Sequence, residues 1–286
     1  MAKRETSPLP EEGFAMHAPE LYTHGAIAEG VEGFGAVGEE HIAWYQEQGY
    51  LVVDGAFTQA EVEAARQGLL DLIAGRNPAF DNFDIEPLGR EQLPALTGED
   101  RQNAIRKLMD FTRFDDRLKA IAEHPQLVAV IARLIGEKPE RFQDMALIKP
   151  PRLGREKPWH QDHAYFDLPL GTRIIGVWIA LDEATLENGC MHVLAGGHRN
   201  GPLPHFQRRD WQICDSEMLG KRSVAVPLKP GGCLFFDGLL PHGTPHNHSA
   251  LRRRALQFHY RPASVVAATE EERLAVFGGE GRGVSC

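Results

Sequence analysis

The sequence predicts a mainly β domain with flanking helices, built as a sandwich or jelly roll. Three observations lead there. Helical periodicity is confined to the stretch before Gly136. After it come seven or more short β-rich runs separated by turn signals. No internal repeat of roughly 20–50 residues is present, so a solenoid or propeller is not expected. Helices first and many short strands afterwards is the pattern of one sheet-based core with helices packed outside it.

Taken in order, residues 1–38 are polar, rich in Gly, Pro and Glu, and read as an arm. A helix is expected from Glu39 to Gln48, stopped by Gly49, with a short strand at 50–53. Thr58 and Glu61 have capping-box spacing. Behind them Val62, Ala65, Leu69, Leu72 and Ile73 recur at helical spacing as far as Gly75. Residues 76–100 are loop. Helical stretches follow over about 101–110 and 115–135, broken at Pro125. The β-rich runs are 142–148, 159–166, 173–181, 191–194, 223–228, 233–236 and 254–260. Their turns include Asn188-Gly189, Gly196-Gly197 and Pro230-Gly231-Gly232. The expected organisation is one domain over 39–277, with a helical N-terminal part (39–136) and a jelly-roll core (137–262), then a flexible tail at 278–286.

Composition removes several function classes. With 42% hydrophobic and 25% charged residues the chain is an ordinary globular protein. Its apolar runs, such as Leu127 to Ala132, are too short to span a bilayer. The start, MAKRETSPLPEEGF, lacks the apolar stretch of a secretory signal. The four cysteines, Cys190, Cys214, Cys233 and Cys286, contain no CxxC pair, which disfavours a disulfide scaffold or a cysteine zinc site and fits the cytoplasm. A net charge of −9 disfavours a nucleic-acid grip. A small-molecule partner is the expectation that remains, with oligomeric state unread.

The unusual count is 13 histidines. In Trp159-His160-Gln161-Asp162-His163, strand alternation puts His160 and Asp162 on one face and His163 on the other. An imidazole and a carboxylate side by side are two thirds of a 2-His-1-carboxylate face, a donor set suited to non-haem Fe(II). A second cluster, Pro241-His242-Gly243-Thr244-Pro245-His246-Asn247-His248, has HxxxH spacing, but Gly243 and Pro245 argue against the helix a zinc pair would need. His242 follows a β-run directly and is the best-placed third ligand; His246 and His248 read as loop residues. Arg252-Arg253-Arg254 then opens a run with alternate apolar residues, so at least one arginine is expected to point inward. A buried guanidinium calls for a planar anion such as a carboxylate.

Together these residues resemble the phytanoyl-CoA dioxygenase family of Fe(II)/2-oxoglutarate-dependent oxygenases. The resemblance rests on HQD, on a lone histidine in a small-residue turn, on an arginine eleven positions beyond it, and on GVWIALDEATLENGCMHVLAGGHRNG at 176–201. It spans roughly residues 103–262 and, weakly, the helix and strand at 40–75. It implies a double-stranded β-helix, a cupin-like jelly roll, with His160, Asp162 and His242 on iron. It further implies that Arg253 and Thr244 hold the distal carboxylate of 2-oxoglutarate, with Trp178 packed beside the co-substrate and Met145 and Lys107 as further contacts. The reaction implied is O₂-dependent oxidation of a substrate C–H bond with release of succinate and CO₂. Family halogenases lack the carboxylate found here at Asp162, so hydroxylation or a related oxidation is expected. A cupin-like Zn²⁺ or Ni²⁺ protein is the competing reading, but it has no need of Arg253. The chain departs from the family's PGSH at Ala195-Gly196-Gly197-His198, outside the metal set.

Overall fold

The computed structural model describes residues 17–85, 93 and 95–278, so the first sixteen residues of the expected arm and all but Gly278 of the expected tail lie outside it. The arm contributes β1 (His24–Ile27) and β2 (Val31–Glu32). Next comes α1 (Glu39–Gln48), closed by Gly49 in the left-handed conformation at φ 79° that commonly ends a helix. β3 (Tyr50–Asp54) leads to α2 (Gln59–Ile73). The capping box forms: Thr58 N–H donates to Glu61 Oε2 (2.8 Å) and Glu61 N–H donates to Thr58 Oγ1 (3.3 Å). Then follow β4 (Phe83–Ile85), α3 (Gly98–Ala104), β5 (Ile105–Met109), α4 (Asp116–Ala122) and α5 (Pro125–Ile135). Pro125 starts α5 where its missing N–H costs nothing. The remaining elements are β6 (Pro139–Lys149), β7 (Lys157–His160), β8 (Ile175–Ala180), β9 (Met191–Val193), β10 (His205–Gln207), β11 (Trp211–Ile213), α6 (Asp215–Met218), β12 (Ser223–Val226), β13 (Cys233–Asp237), β14 (His242–Thr244), β15 (Arg253–Pro262) and α7 (Glu270–Phe277).

Two sheets face each other in a jelly roll. The larger has the order β2-β3-β13-β8-β15-β6-β5-β4, the smaller β1-β12-β9-β14-β7, and β10-β11 form a separate pair. Alternation decides what each strand gives to each side. Cys233 and Phe235 of β13, Val177 and Ile179 of β8, and Leu256 and Phe258 of β15 pack outward on the apolar stripes of α2 and α5. Leu234, Phe236, Trp178, Ala180 and Ala255 face inward, toward Met191, Val193, Ala225 and Val226 of the smaller sheet. The inward face of β15 continues with Arg253, Gln257 and His259, all at most 4% exposed. Three polar side chains where a sandwich normally closes with apolar ones mark the inter-sheet space as the site.

The structure departs from expectation in four places. The expected loop over 76–100 contains β4, which pairs with β5, and the first residues of α3. Residues 105–109 form β5 instead of continuing a helix to 110, because the free edge of β6 supplies ladder partners: Lys107 pairs with Leu147 and Met109 with Met145. Lys107 thereby moves from a helix surface to a sheet facing the inter-sheet space. Residues 24–32 are not loose: β1 pairs in parallel with β12 and β2 with β3, covering one edge of each sheet. The HQD strand ends at His160 and turns into a short 3₁₀ segment (Asp162–Tyr165), but Gln161 stays extended and Asp162 still shares the side of His160.

Candidate active site

His160 and His242 are brought together by register. They are direct partners across β7 and β14, with ring centroids 4.2 Å apart. Each ring is oriented the same way: Nδ1–H donates to the carbonyl two residues earlier in its own strand, to Pro158 O (2.7 Å) and to Leu240 O (2.9 Å). That leaves both Nε2 lone pairs pointing at Asp162 Oδ1, at 3.3 and 3.5 Å. The three donor atoms lie within 4.8 Å of one another, and all three residues are buried. Donors that share an ion at bonds of roughly 2 Å need separations of this order. Burial, then His242 and Lys157, hold His160 down to about 3, so its imidazole is neutral and free to donate. Burial pushes the Asp162 carboxyl up, but the His242, His259 and His160 rings outweigh it and keep the group ionised. Two imidazoles and one carboxylate fit a divalent iron, with one side left open.

The other Asp162 oxygen is held from β15. Its Oδ2 accepts from His259 Nε2 (2.6 Å) and from Gln257 Nε2 (3.4 Å). Gln161, fully buried, pins the loop from the far side: it donates to Gly201 O and Leu239 O, accepts from Leu203 N–H, and gives its own N–H to His205 Nε2. Sequence reasoning missed Gln257, His259 and Gln161. The first two were within reach, since period-two counting from Arg253 gives Ala255, Gln257 and His259 on one face. Gln161 carried no signal, because its partners lie 40 to 78 residues away.

Arg253 is 1% exposed, as the inward-pointing expectation required, whereas Arg254 turns out to Asp182 and Arg252 to Glu99. Its Nη2 donates to Gly189 O (3.2 Å), and its Nε and Nη1 have no partner among the described residues. Gly189 belongs to the NGC turn at φ +85°, where a Cβ would lie 2.5 Å from Pro245 O, so the turn admits only glycine. The guanidinium lies over the Trp178 ring at 5.3 Å, and burial alone holds it down to about 10. Lys149, its cross-strand partner, spends its protons on carbonyls of Arg155, Thr244 and Pro245. An uncompensated fork therefore faces the cavity.

That cavity has about 110 Å³ and is lined by both groups: His160, Asp162, His242 and His259 on one side, Arg253, Thr244 and Lys149 on another, with Met145 and Lys107 between β15 and the sheet edge. Thr244 lies two after His242 on β14; Trp178 pairs with Gln257 and Met145 pairs with it from the other strand. The other histidines of the two motifs face elsewhere. His163 turns to Phe277, and His246 Nε2–H donates to Arg152 O on the surface side.

Comparison with known proteins agrees with this geometry. The model of the phytanoyl-CoA dioxygenase (PhyH) family matches residues 45–255. A probable phytanoyl-CoA dioxygenase of Caenorhabditis elegans is 28% identical over 256 residues, covering 82% of this chain and 80% of that protein. Among solved structures, the non-heme alpha ketoglutarate dependent carbocyclase SnoK from nogalamycin biosynthesis superposes with a TM-score of 0.66 at 20% identity, over 85% of this chain and 91% of that one. EvdO2 from Micromonospora carbonacea var. aurantiaca, complexed with 2-oxoglutarate, does so with a TM-score of 0.62 at 24% identity, over 82% and 94%. By the extent of the family match, carried on the jelly roll and the His-Asp-His cluster, the chain belongs to the phytanoyl-CoA dioxygenase family of Fe(II)/2-oxoglutarate-dependent oxygenases.

Proposed function

We propose that the chain hydroxylates, or otherwise oxidises, a C–H bond of a small molecule, with His160, Asp162 and His242 as the iron ligands and Arg253 as the anchor of 2-oxoglutarate. The observation that carries this assignment is the buried Arg253 fork, whose Nε and Nη1 are unpaired while its cavity is shared with the His-Asp-His cluster. Gln257, which holds Asp162, and Arg253 are four residues apart on one face of β15, about 13 Å of strand. Ala255 lies between them on that face with the small Ala180 as its cross-strand partner, and the spacing suits the length of a five-carbon diacid. Thr244 and Trp178 flank the carboxylate end; Met145 and Lys107 line the co-substrate's side wall.

Bound together there, Fe(II), 2-oxoglutarate and O₂ supply the oxidising power, and the co-substrate leaves as succinate and CO₂. The chain's own part is placement. The carbonyls of Pro158 and Leu240 fix two ring orientations, His259 and Gln257 fix one carboxylate oxygen, and the inter-sheet core keeps bulk water away. No helix among the described residues is long and apolar enough to cross a membrane. Cys190 and Cys233 are buried free thiols, which supports a cytoplasmic home.

Anaerobic titration with Fe(II) and 2-oxoglutarate tests the assignment. A metal-to-ligand charge-transfer band should form in the wild type and in His246→Ala, and should be lost in Asp162→Ala. A normal band and normal succinate production in Asp162→Ala would overturn the ligand set.

A further inference from the structure

With the iron ligands and Arg253 accounted for, the cavity keeps an uncommitted amide, Gln143 of β6. The inner face of β6 runs Lys149, Leu147, Met145, Gln143, paired in turn with Arg253, Ala255, Gln257 and His259 of β15. In the proposed binding mode the co-substrate occupies the stretch from Arg253 to Gln257, whose amide holds Asp162. Gln143 lies one pair further on, six residues and about 20 Å of strand from Lys149. A five-carbon chain that begins at Arg253 and ends at the metal does not reach it. Yet Gln143 lines the same cavity, and its Oε1 is buried with no hydrogen-bond partner among the described residues. A buried acceptor left bare is costly, and folded proteins seldom keep one without something to fill it.

His259, directly across the ladder, adds a second bare acceptor. Asp162 serves the metal as a carboxylate, so His259 Nε2 carries the hydrogen that it gives to Oδ2, and its buried Nδ1 is left as a lone pair without a partner. The charges nearby are already matched. Asp210 takes Lys157 at 2.8 Å and lies 3.8 Å from Arg106, Asp84 stands across the β4–β5 ladder from Lys107, and Glu140 takes Arg261 at 3.0 Å. An anion at Gln143 would meet two lone pairs. An ammonium would meet no free carboxylate, since Asp162 is the one acidic side chain among the described residues that line the cavity. A neutral hydroxyl or amide N–H suits both acceptors. The wall beside them is apolar: Phe166 lines the cavity and packs edge-on against Phe142 at 4.8 Å and His259 at 5.0 Å.

We infer that the primary substrate is uncharged at the metal end of the cavity: it donates a hydroxyl or amide hydrogen to Gln143 Oε1 and lays an apolar skeleton on Phe166, which brings its reacting carbon to the open side of the metal. This deepens the proposed function and rests on it. One face of paired strands then reads two ligands in series, the co-substrate through Arg253 and the substrate through Gln143, with the metal between.

The test uses the protein loaded with Fe(II) and 2-oxoglutarate under anaerobic conditions. The probes are hexanol, hexanamide, methyl pentyl ether, hexanoate and hexylammonium. Thermal midpoint and perturbation of the charge-transfer band report binding. Hexanol and hexanamide should bind. Methyl pentyl ether, an isomer of hexanol with no hydrogen to donate, should bind at least about fivefold more weakly than hexanol, as should both ions. Gln143→Leu keeps the bulk and removes the acceptor, so it should weaken hexanol at least about fivefold and leave the ether unchanged. Gln143→Glu keeps an acceptor in place and should retain most of the hexanol affinity. The band that 2-oxoglutarate forms before any probe is added should develop at an unchanged co-substrate concentration in both variants. Failure of that band in wild type refutes the iron and co-substrate reading itself. A band that forms in wild type but demands more 2-oxoglutarate in Gln143→Leu assigns the amide to the co-substrate and overturns the inference. Absence of hexanol and hexanamide binding in wild type, equal binding of the ether, tighter binding of either ion, undiminished hexanol binding in Gln143→Leu, or an equal loss in both variants also overturns it.

Discussion

Replacing Arg253 with methionine should weaken co-substrate binding and stabilise the empty protein at once. The guanidinium is 1% exposed, makes one hydrogen bond to Gly189 O, and lies on Trp178. Two charge-assisted bonds to a carboxylate, at roughly 1.5–3 kcal/mol each, correspond to about a hundredfold to ten-thousandfold loss of 2-oxoglutarate affinity. In the absence of 2-oxoglutarate the sign reverses. A guanidinium held down to about 10 by burial, against an ordinary value near 12.5, carries a penalty of about 3 kcal/mol. Methionine has similar length and no charge, and losing the Gly189 and Trp178 contacts offsets part of the gain. The empty variant should therefore be more stable by about 1–2 kcal/mol. Urea unfolding without ligand reads the second effect, and charge-transfer titration reads the first. 2-Oxoglutarate should also raise the unfolding midpoint of the wild type and leave that of the variant nearly unmoved. An affinity loss under tenfold, or an empty variant less stable than wild type, would refute the idea that this side chain is kept for an incoming anion.

Three further outcomes follow from the same geometry. His259→Ala removes the short bond to Asp162 Oδ2 and should weaken Fe(II) binding about 10–100-fold while the fold is retained, as metal titration and circular dichroism can check. Gly176→Ala would put a Cβ 2.3 Å from the Phe236 ring, which itself packs on His242 at 4.6 Å; iron affinity should fall together with thermal stability, and an unaffected metal site would show that the ring has room to move. His192 and His205 are each held down to about 4, mainly by burial. The unfolded chain takes up these protons near 6.5 and the folded chain only near 4, so their contribution to stability is complete above 6.5 and lost as pH falls through that window. Urea midpoints at pH 7.5 and 4.5 measure the loss, which should shrink in His192→Gln with His205→Gln.

Much of the site was legible because its residues obey period two. His160 and Asp162, or Arg253 with Gln257 and His259, share a face in any extended run, and the sequence alone says so. The core strands were legible for the same reason, as were α1 and α2, whose ends are set by Gly49 and by the Thr58–Glu61 box. What could not be read depends on partners far along the chain. β5 is a strand because β6 offers it an edge, and nothing in Arg101–Asp110 announces that edge. β1 is held by backbone pairing to β12, to which its largely exposed side chains contribute little. Pairing of His242 with His160 is a matter of register between strands that 81 residues separate from one another, a distance no local pattern spans.

The arm has a bearing on how the cavity opens. Ala28–Gly30 carries the chain from the rim of the smaller sheet at β1 to the rim of the larger at β2, and it crosses so closely that a Cβ at Gly30 would meet Asp54 Oδ2 at 2.3 Å. One short segment thus rivets the two layers along that side. That segment does not restrain the opposite margin, where the cavity's lining reaches Arg106 and Lys107 of β5 and Lys157 of β7.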